Sequence, residues 1–413
     1  MSTKFLRSVR PPLFGWAVAM PGTAGACLSG YLALLSAAAL ARRCFAAASQ
    51  EASGEPSATF IVLIPAHNEQ LLIERCIASL LNQDYPRDLY RIVVVADNCT
   101  DDTSARATSA GAEALDRDEP TATGKGRALR WAMDMLLPQP DPPDGYVIID
   151  ADSIADQRFL MELARTLARG TSVIQADYLA LQEDHDARAN LRAAAFLLFH
   201  RVRFSGRAAL GLPCGLVGNG MLLTRDLVET HPWDAFTGAE DLEYSIDLRL
   251  AGIRPAFAPS ARVWGPVASA GRGARTQRLR WEGGRWHVIR TRLPKLTNAM
   301  IHERRWSLWD AVLDLSVPPL GLLSSGAATG LGVALALRTF RLVPAWATVP
   351  WGVAVAALPV HVFLGLLAGD APASYYRALL AAPQLVAAET LTRLRLLRGV
   401  SPTAWERTAR PGE

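Results

Sequence analysis

The stretch from Leu13 to Leu40 carries no charged residue. An apolar stretch of that length can cross a bilayer, whose hydrocarbon core takes about 20 residues of helix. Two later apolar runs, Leu315–Leu337 and Val343–Gly369, meet the same condition. Lys4, Arg7 and Arg10 precede the first run and small residues follow it, which is also how a secretory signal begins. The apolar region of such a signal is only about 7–15 residues, so the expectation is a retained membrane helix. Hydrophobic residues make up 50% of the chain, and the excess apolar content is concentrated in these three runs. In 413 residues they leave room for one large domain of roughly 200–250 residues.

Basic residues orient these runs. Arg42 and Arg43 follow the first; Arg285, Arg290, Arg292, Lys295, Arg304 and Arg305 precede the second. Arg377, Arg393, Arg395, Arg398, Arg407 and Arg410 follow the third, while only Arg338 and Arg341 separate the second from the third. Positive flanks face the cytoplasm, which places the large middle segment and the tail there and the N-terminus outside. The three basic residues before the first run argue the other way. The net charge of +4 is too small to imply nucleic acid. Cys27, Cys44, Cys76, Cys99 and Cys214 show no C-x-x-C spacing, which reads as a reducing compartment without a disulfide frame or zinc site.

Between the first two apolar runs, strand and helix patterns alternate. Thr59–Ile64 reads as a strand, Pro65–Glu69 as its turn and Gln70–Leu81 as a helix. Leu89–Ala96 is a second strand, and Thr100 or Asp101 would cap a helix running to about Ala110. A short strand at Ala112–Leu115 and a helix opened by Gly124-Lys125-Gly126 follow. Val147-Ile148-Ile149 then runs into Asp150 and Asp152. This alternation predicts an α/β fold with a doubly wound, mostly parallel sheet. Further on, Val173–Leu181 reads as a strand and Ala187–Leu210 as a long apolar helix. Gly218-Asn219-Gly220 reads as a tight turn before a short strand, and Glu240–Leu250 as a helix with two acids at its start.

Ligands of such sheets bind beyond the carboxyl ends of the strands. Asp150 and Asp152 fall there and make an oxygen-rich site for a hard cation that also holds phosphates; a turn cap is the plain alternative. Asp97 is either a ligand contact or an Asx-turn residue, and Lys125 either a phosphate contact or a solvated helix start. Glu240 and Asp241 either do acid–base work or serve the helix dipole. Trp281 is either a ligand-packing ring or an interfacial anchor.

Taken in order, Pro65-Ala66-His67-Asn68-Glu69, Asp97–Thr103, Gly124-Lys125-Gly126, Asp150-Ala151-Asp152, Gly238-Ala239-Glu240-Asp241 and Gln277-Arg278-Leu279-Arg280-Trp281 resemble the membrane-bound family 2 glycosyltransferases. That group includes cellulose, hyaluronan, chitin and poly-N-acetylglucosamine synthases and enzymes that glycosylate lipids. The resemblance covers roughly Thr59 to Arg290 with the flanking spans. It implies a GT-A fold and inverting transfer from a nucleotide sugar, most often a UDP-sugar, to a saccharide or lipid-linked acceptor, with Mg²⁺ or Mn²⁺. It implies that Asp152 is the direct metal ligand and that Asp150 lies near metal and ribose. Asp97 would contact the base. Pro65, His67 and Glu69 would wall the nucleotide, and Lys125 would meet phosphate or uracil. Asp241 would be the base, tuned by Glu240. Gln277 and Arg280 would contact the diphosphate. Trp281, with Gly218 and Asn219, would take the acceptor.

The implied division is a membrane segment over 1–50, a GT-A domain over 51–300, two membrane helices over 301–370, and a basic interfacial helix and tail over 371–413. The tail meets membrane lipids, with Trp405-Glu406-Arg407-Thr408 as a family-like ending. The location is the inner membrane, multi-pass, with the catalytic domain cytoplasmic. Asn98 and Cys99 depart from the commonest D-D-x-S form of the family. Three spans are few for a polymer-conducting channel, which leaves single and processive transfer both open. A nucleotidyltransferase would carry a glycine-rich loop where Pro65–Glu69 stands. A silent nucleotide-sugar-binding regulator is opposed by the retained Asp150, Asp152, Asp241 and Trp281.

Overall fold

A computed structural model of the chain describes residues 3–45, 57–182, 186–266 and 272–384, with the backbone alone over 3–12 and 272–280. The chain divides into two compact units. The described parts of one are 3–45, 186–210 and 313–384; those of the other are 57–182, 211–266 and 272–312.

Helix α1, Thr3–Phe45, contains the first apolar run. The sheet unit then begins with β1 (Phe60–Ala66), α2 (Ile73–Leu81), β2 (Tyr90–Asp97), α3 (Thr103–Ser109), β3 (Glu113–Arg117), α4 (Lys125–Leu136) and β4 (Gly145–Ile148). β1 pairs in parallel with both β2 and β4, and β2 with β3. Successive strand side chains point to opposite faces. Phe60, Val62 and Ile64 therefore join Ile73, Ile77 and Leu80 of α2 in one core, while Ile61 and Leu63 join Ala128, Leu129 and Met133 of α4 in the other. Burial on both faces is why β1 is a continuous apolar run and not an alternating one.

The second half adds β5 (Ile154–Ala155), α5 (Phe159–Leu167), β6 (Val173–Leu181), α6 (Ala187–Leu197), α7 (Arg203–Ala209), β7 (Met221–Thr224), α8 (Arg225–Thr230), α9 (Glu240–Leu250), β8 (Ala256–Pro266) and α10 (Arg272–Ile301). β7 runs antiparallel between β4 and β6, β6 is parallel to β8, and β5 closes the edge antiparallel to β8. The order β3-β2-β1-β4-β7-β6-β8-β5 is a mixed, mostly parallel sheet, as anticipated.

Some boundaries differ from the expectation. Pro65 lies in β1, opposite Val95, so the turn starts later. Pairing with β4 ends at Leu63, so the missing N–H of Pro65 breaks no bond on that side. Asp102 stands at the start of α3 without a side-chain cap, and Asp101 accepts from Thr103 N–H at 3.0 Å in its stead. β5, α5, α8 and β8 were not foreseen. β8 hides because Pro259 interrupts it: the β6 register jumps from Ala176↔Ala258 to Asp177↔Arg262, and Pro259, Ser260 and Ala261 bulge out.

The other unit is helical. After α11 (Trp309–Ser316) it continues with α12 (Leu320–Thr339), α13 (Val349–Ala368) and α14 (Ala373–Ala378). Among the described residues three helices are long and apolar enough to cross a membrane: Leu13–Phe45, Leu320–Thr339 and Ala345–Ala368. The second starts later than the apolar run because Pro318 and Pro319 end α11 and open α12. α6 and α7 form one helix with a π turn at Leu198–Val202. A Cβ on Gly206 would strike the carbonyl of Leu35 in α1, so only glycine permits that approach. Arg203 and Arg207 are buried there, each 2.8 Å from Asp314 Oδ1, and Arg207 donates to Tyr31 Oη at 2.6 Å. The basic helix expected over Tyr375–Arg398 and the tail motif at 405–408 lie largely or wholly outside the described residues.

In the sheet unit, Arg249 at the end of α9 holds Asp310, which is 0% exposed, through two bonds of 2.8 and 3.1 Å. Removing one partner of a buried pair costs about 3–5 kcal/mol, while apolar replacement of both is nearly neutral. Arg249→Met should therefore lower the thermal unfolding midpoint sharply, and Arg249→Met with Asp310→Leu should recover most of it. Additive losses in the double variant would show that the pair does not act as a unit.

Candidate active site

Because β1, β2, β3 and β4 are parallel, the segments after them meet at one sheet edge. These are His67–Glu69, Asp97–Thr103, the loop from Arg117 to Lys125, and Asp150–Ser153. β7 is antiparallel to β4, so the turn before it, Gly218-Asn219-Gly220, reaches the same edge.

Asp97 is buried at this edge. Its Oδ1 accepts from Arg117 Nη1 at 2.5 Å and from Asn98 Nδ2 at 2.8 Å, and its Oδ2 from Gly124 N–H at 3.3 Å. Arg117 also binds Glu119 and the Ala122 carbonyl, so the pair ties β2 to the loop that delivers Lys125. Asn98 has a φ of 50°, a left-handed conformation that Asn tolerates. Its amide gives a proton to Asp97 and takes one from Glu119 N–H, a double role that an ionised Asp could not fill. His67 donates from Nδ1 to the Asp97 carbonyl at 2.7 Å, and Glu69 N–H donates to Thr103 Oγ1 at 2.8 Å. Cys99 Sγ lies 3.4 Å from Asn68 N. Pro65, His67 and Glu69 are half-buried along this wall.

The D-x-D turn is braced from beneath. Asn219, 0% exposed, accepts from Asp150 N–H at 3.2 Å and donates to Ser153 Oγ at 2.8 Å. Asn219 thus supports the turn that carries the carboxylates. Lys125 Nζ lies 2.5 Å from Asp150 Oδ1 and 2.5 Å from the Gly218 carbonyl. Gly218 has a φ of 77°, and a Cβ there would sit 3.0 Å from Asp241 Oδ2 and 3.3 Å from Lys125 Nζ. The lysine and the Asp241 carboxylate thus both border the space that a Gly218 side chain would fill. Burial works against the Lys125 charge, but Asp150, Glu240 and Asp241 outweigh it and raise its pKa.

Asp241 sits in the first turn of α9, with Oδ1 accepting from Leu242 N–H at 2.7 Å. Burial first, and then the charge of Glu240, push its carboxyl up to about 7. α10 holds this helix start in place. A Cβ on Gly284 would come within 2.7 Å of Ala239 N, and Arg292 bridges Glu243 and Asp247 at 2.8 Å. Trp281, 49% exposed, lies three residues before Gly284, on the same helical face. Gln277 and Arg280 are in α10, but their side chains lie outside those described.

Asp150 and Asp152 offer hard oxygen ligands, and their field is felt around them. Burial and then Asp152 and Asp150 raise the Cys76 thiol; burial and then Asp150 and Asp152 raise the Tyr178 hydroxyl. Among the described residues no group of three or more His, Cys, Asp or Glu side chains could hold a metal. Two carboxylates alone would hold a divalent cation only if its shell were completed by other oxygens, such as those of a phosphate.

The mixed, mostly parallel sheet with acids on its carboxyl edge defines a GT-A-like glycosyltransferase fold. A family model described as "Glycosyltransferase like family 2" matches residues 56–284, and the chain belongs to that family. It is 24% identical over 236 residues to the probable glycosyltransferase YdaM of Bacillus subtilis (strain 168), covering 55% of each chain. It is 23% identical over 276 residues to the beta-monoglucosyldiacylglycerol synthase of Nostoc sp. (strain PCC 7120), covering 62% of this chain and 56% of that one. The chain thus spans about half the length of the curated relatives it matches. Among solved structures it resembles in fold the mannosyltransferase PcManGT from Pyrobaculum calidifontis, determined in complex with GDP-Man and Mn²⁺. The TM-score is 0.50 at 18% identity, over 83% of this chain and 97% of that one.

Sequence reasoning missed Arg117, Gly284 and Arg292 as site-building residues. Arg117 gave one signal, a charge at the end of a short strand in an otherwise buried sheet. Asn219 offers a direct test of the bracing. Asn219→Ala should cost about 1–3 kcal/mol for each buried group left without a partner. Asn219→Asp, which still accepts from Asp150 N–H, should fall between it and the wild type in thermal unfolding. An unchanged midpoint in Asn219→Ala would exclude the bracing role.

Proposed function

We propose that this chain transfers a sugar, with inversion, from a nucleotide sugar to a hydroxyl of a lipid-linked or saccharide acceptor in glycolipid or cell-surface polysaccharide assembly. A UDP-sugar is the donor in this reading. The observation that carries it is Asp241, a carboxyl raised to about 7 that borders the same space beside Gly218 as Lys125, which in turn pairs with Asp150.

The chemistry follows from that placement. Asp241 takes the acceptor hydroxyl proton as the oxygen attacks the anomeric carbon. The bond from that carbon to the diphosphate breaks on the opposite face, and its electron pair leaves with the nucleoside diphosphate. Lys125 contributes positive charge near the leaving group, and Asp150 and Asp152 would hold Mg²⁺ or Mn²⁺. A bound divalent cation neutralises the charge that grows on the diphosphate. Asp97, already engaged by Arg117, shapes the nucleotide wall together with Pro65, His67 and Glu69. Gln277 and Arg280 contact the diphosphate, and Trp281 gives the acceptor an apolar face. The three apolar helices support a multi-pass inner-membrane location with the sheet unit in the cytoplasm, where nucleotide sugars are made.

A general base contributes about 10²–10⁴-fold, so Asp241→Asn should lose that much transfer while donor binding by calorimetry changes little. Asp152→Asn and chelation should reduce both. The base works deprotonated, so kcat/KM should fall as pH drops through about 7. Glu240→Gln, which removes a charge that raises Asp241, should move that midpoint to lower pH. Transfer by Asp241→Asn at near wild-type rate would place the base elsewhere. For topology, a reporter after Glu413 should be cytoplasmic and one between Leu337 and Val343 external; the reverse would separate the site from its donor.

A further inference from the structure

We infer that Lys125 is an internal counter-ion that keeps the D-x-D carboxylates from holding a divalent cation until a nucleoside diphosphate arrives. This rests on the proposed reading of Asp150 and Asp152 as metal ligands.

The geometry carries it. Lys125 Nζ lies 2.5 Å from Asp150 Oδ1, so one of the two candidate ligands is already neutralised. The ammonium is held by a second acceptor, the Gly218 carbonyl at 2.5 Å, so it cannot drift off at no cost. Gly218 lacks the Cβ that would fill the space beside Nζ, and its φ of 77° aims the turn at the lysine. Gly126, one residue after Lys125, is fixed in turn: a Cβ there would run into the Ala235 carbonyl. Lys125 therefore projects from a helix start that is itself clamped. The lysine is largely buried, with 22% of its side chain exposed, so solvent screens its charge only in part.

A cation arriving alone finds Asp150 Oδ1 already paired with the Lys125 ammonium and must compete with that charge for the D-x-D carboxylates. A cation arriving with a diphosphate brings new anionic oxygens to which Nζ can turn, which frees Asp150 for the metal. Metal and nucleotide then bind with mutual reinforcement, as linkage requires. The same exchange places the ammonium on the leaving group at the moment the donor is seated.

The test is binding of Mn²⁺ to the full chain in detergent, followed by the electron paramagnetic resonance of free Mn²⁺, with and without UDP. Wild type should bind Mn²⁺ weakly alone and much more tightly with UDP. Lys125→Met, and Lys125→Gln beside it, should tighten Mn²⁺ binding in the absence of UDP by roughly tenfold or more, the scale of one nearby charge even under water-like screening. The gain from UDP should shrink accordingly. Lys125→Arg, which keeps the charge, should remain weak without UDP. Unchanged or weaker nucleotide-free binding in both neutral variants, beside a wild type that binds Mn²⁺ with UDP, would overturn the counter-ion role alone. Tight binding by Lys125→Arg would do the same. No Mn²⁺ bound by wild type even with UDP would overturn the metal reading as well.

Discussion

Four carboxylates, Asp150, Asp152, Glu240 and Asp241, are brought within electrostatic reach of one another at one edge of the sheet. Their mutual repulsion is the constraint that the surrounding residues answer. Lys125 feels Asp150, Glu240 and Asp241 together, and Asp241 is raised first by burial, then by Glu240 and Asp150, and lowered by Lys125. The site thus has one embedded cation among several acids. Burial together with that excess of acids gives Asp241 a basicity suited to neutral pH.

Such a cluster keeps its shape only if the backbone beneath it cannot relax. The supports are largely uncharged or paired away from the acids. Asn219 fastens the D-x-D turn, and Arg117 with Asn98 fixes Asp97 and the approach to Lys125. Gly284 and Arg292 lock α10 onto α9, which sets Trp281 in register with the helix that begins at Glu240. Apart from Asn98, each support comes from an element remote in sequence from what it holds.

The helical unit follows a related rule with the opposite composition. In an apolar surrounding a charge must find its partner inside the protein, and Arg203, Arg207, Tyr31 and Asp314 do so. Close backbone approach at Gly206 supplies contact where there is little polar surface to use.

The sequence by itself determined the element order through Lys125, the strand that ends at Asp150, the acidic start of α9 and the presence of three long apolar runs. Those features are local: strand and helix periods, turn residues and uncharged length are written in consecutive positions. Tertiary structure alone decided which oxygens are already engaged. Asp97 pairs with Arg117, twenty positions away, and Asn219 turns inward to Asp150. It also decided that β8 could bulge around Pro259, and that residues 186–210 belong with the apolar helices and not with the sheet. Local patterns record what a residue is and which face it occupies. They do not record which distant group will meet it, and here Arg117, Lys125 and Asn219 reach their acids from other elements.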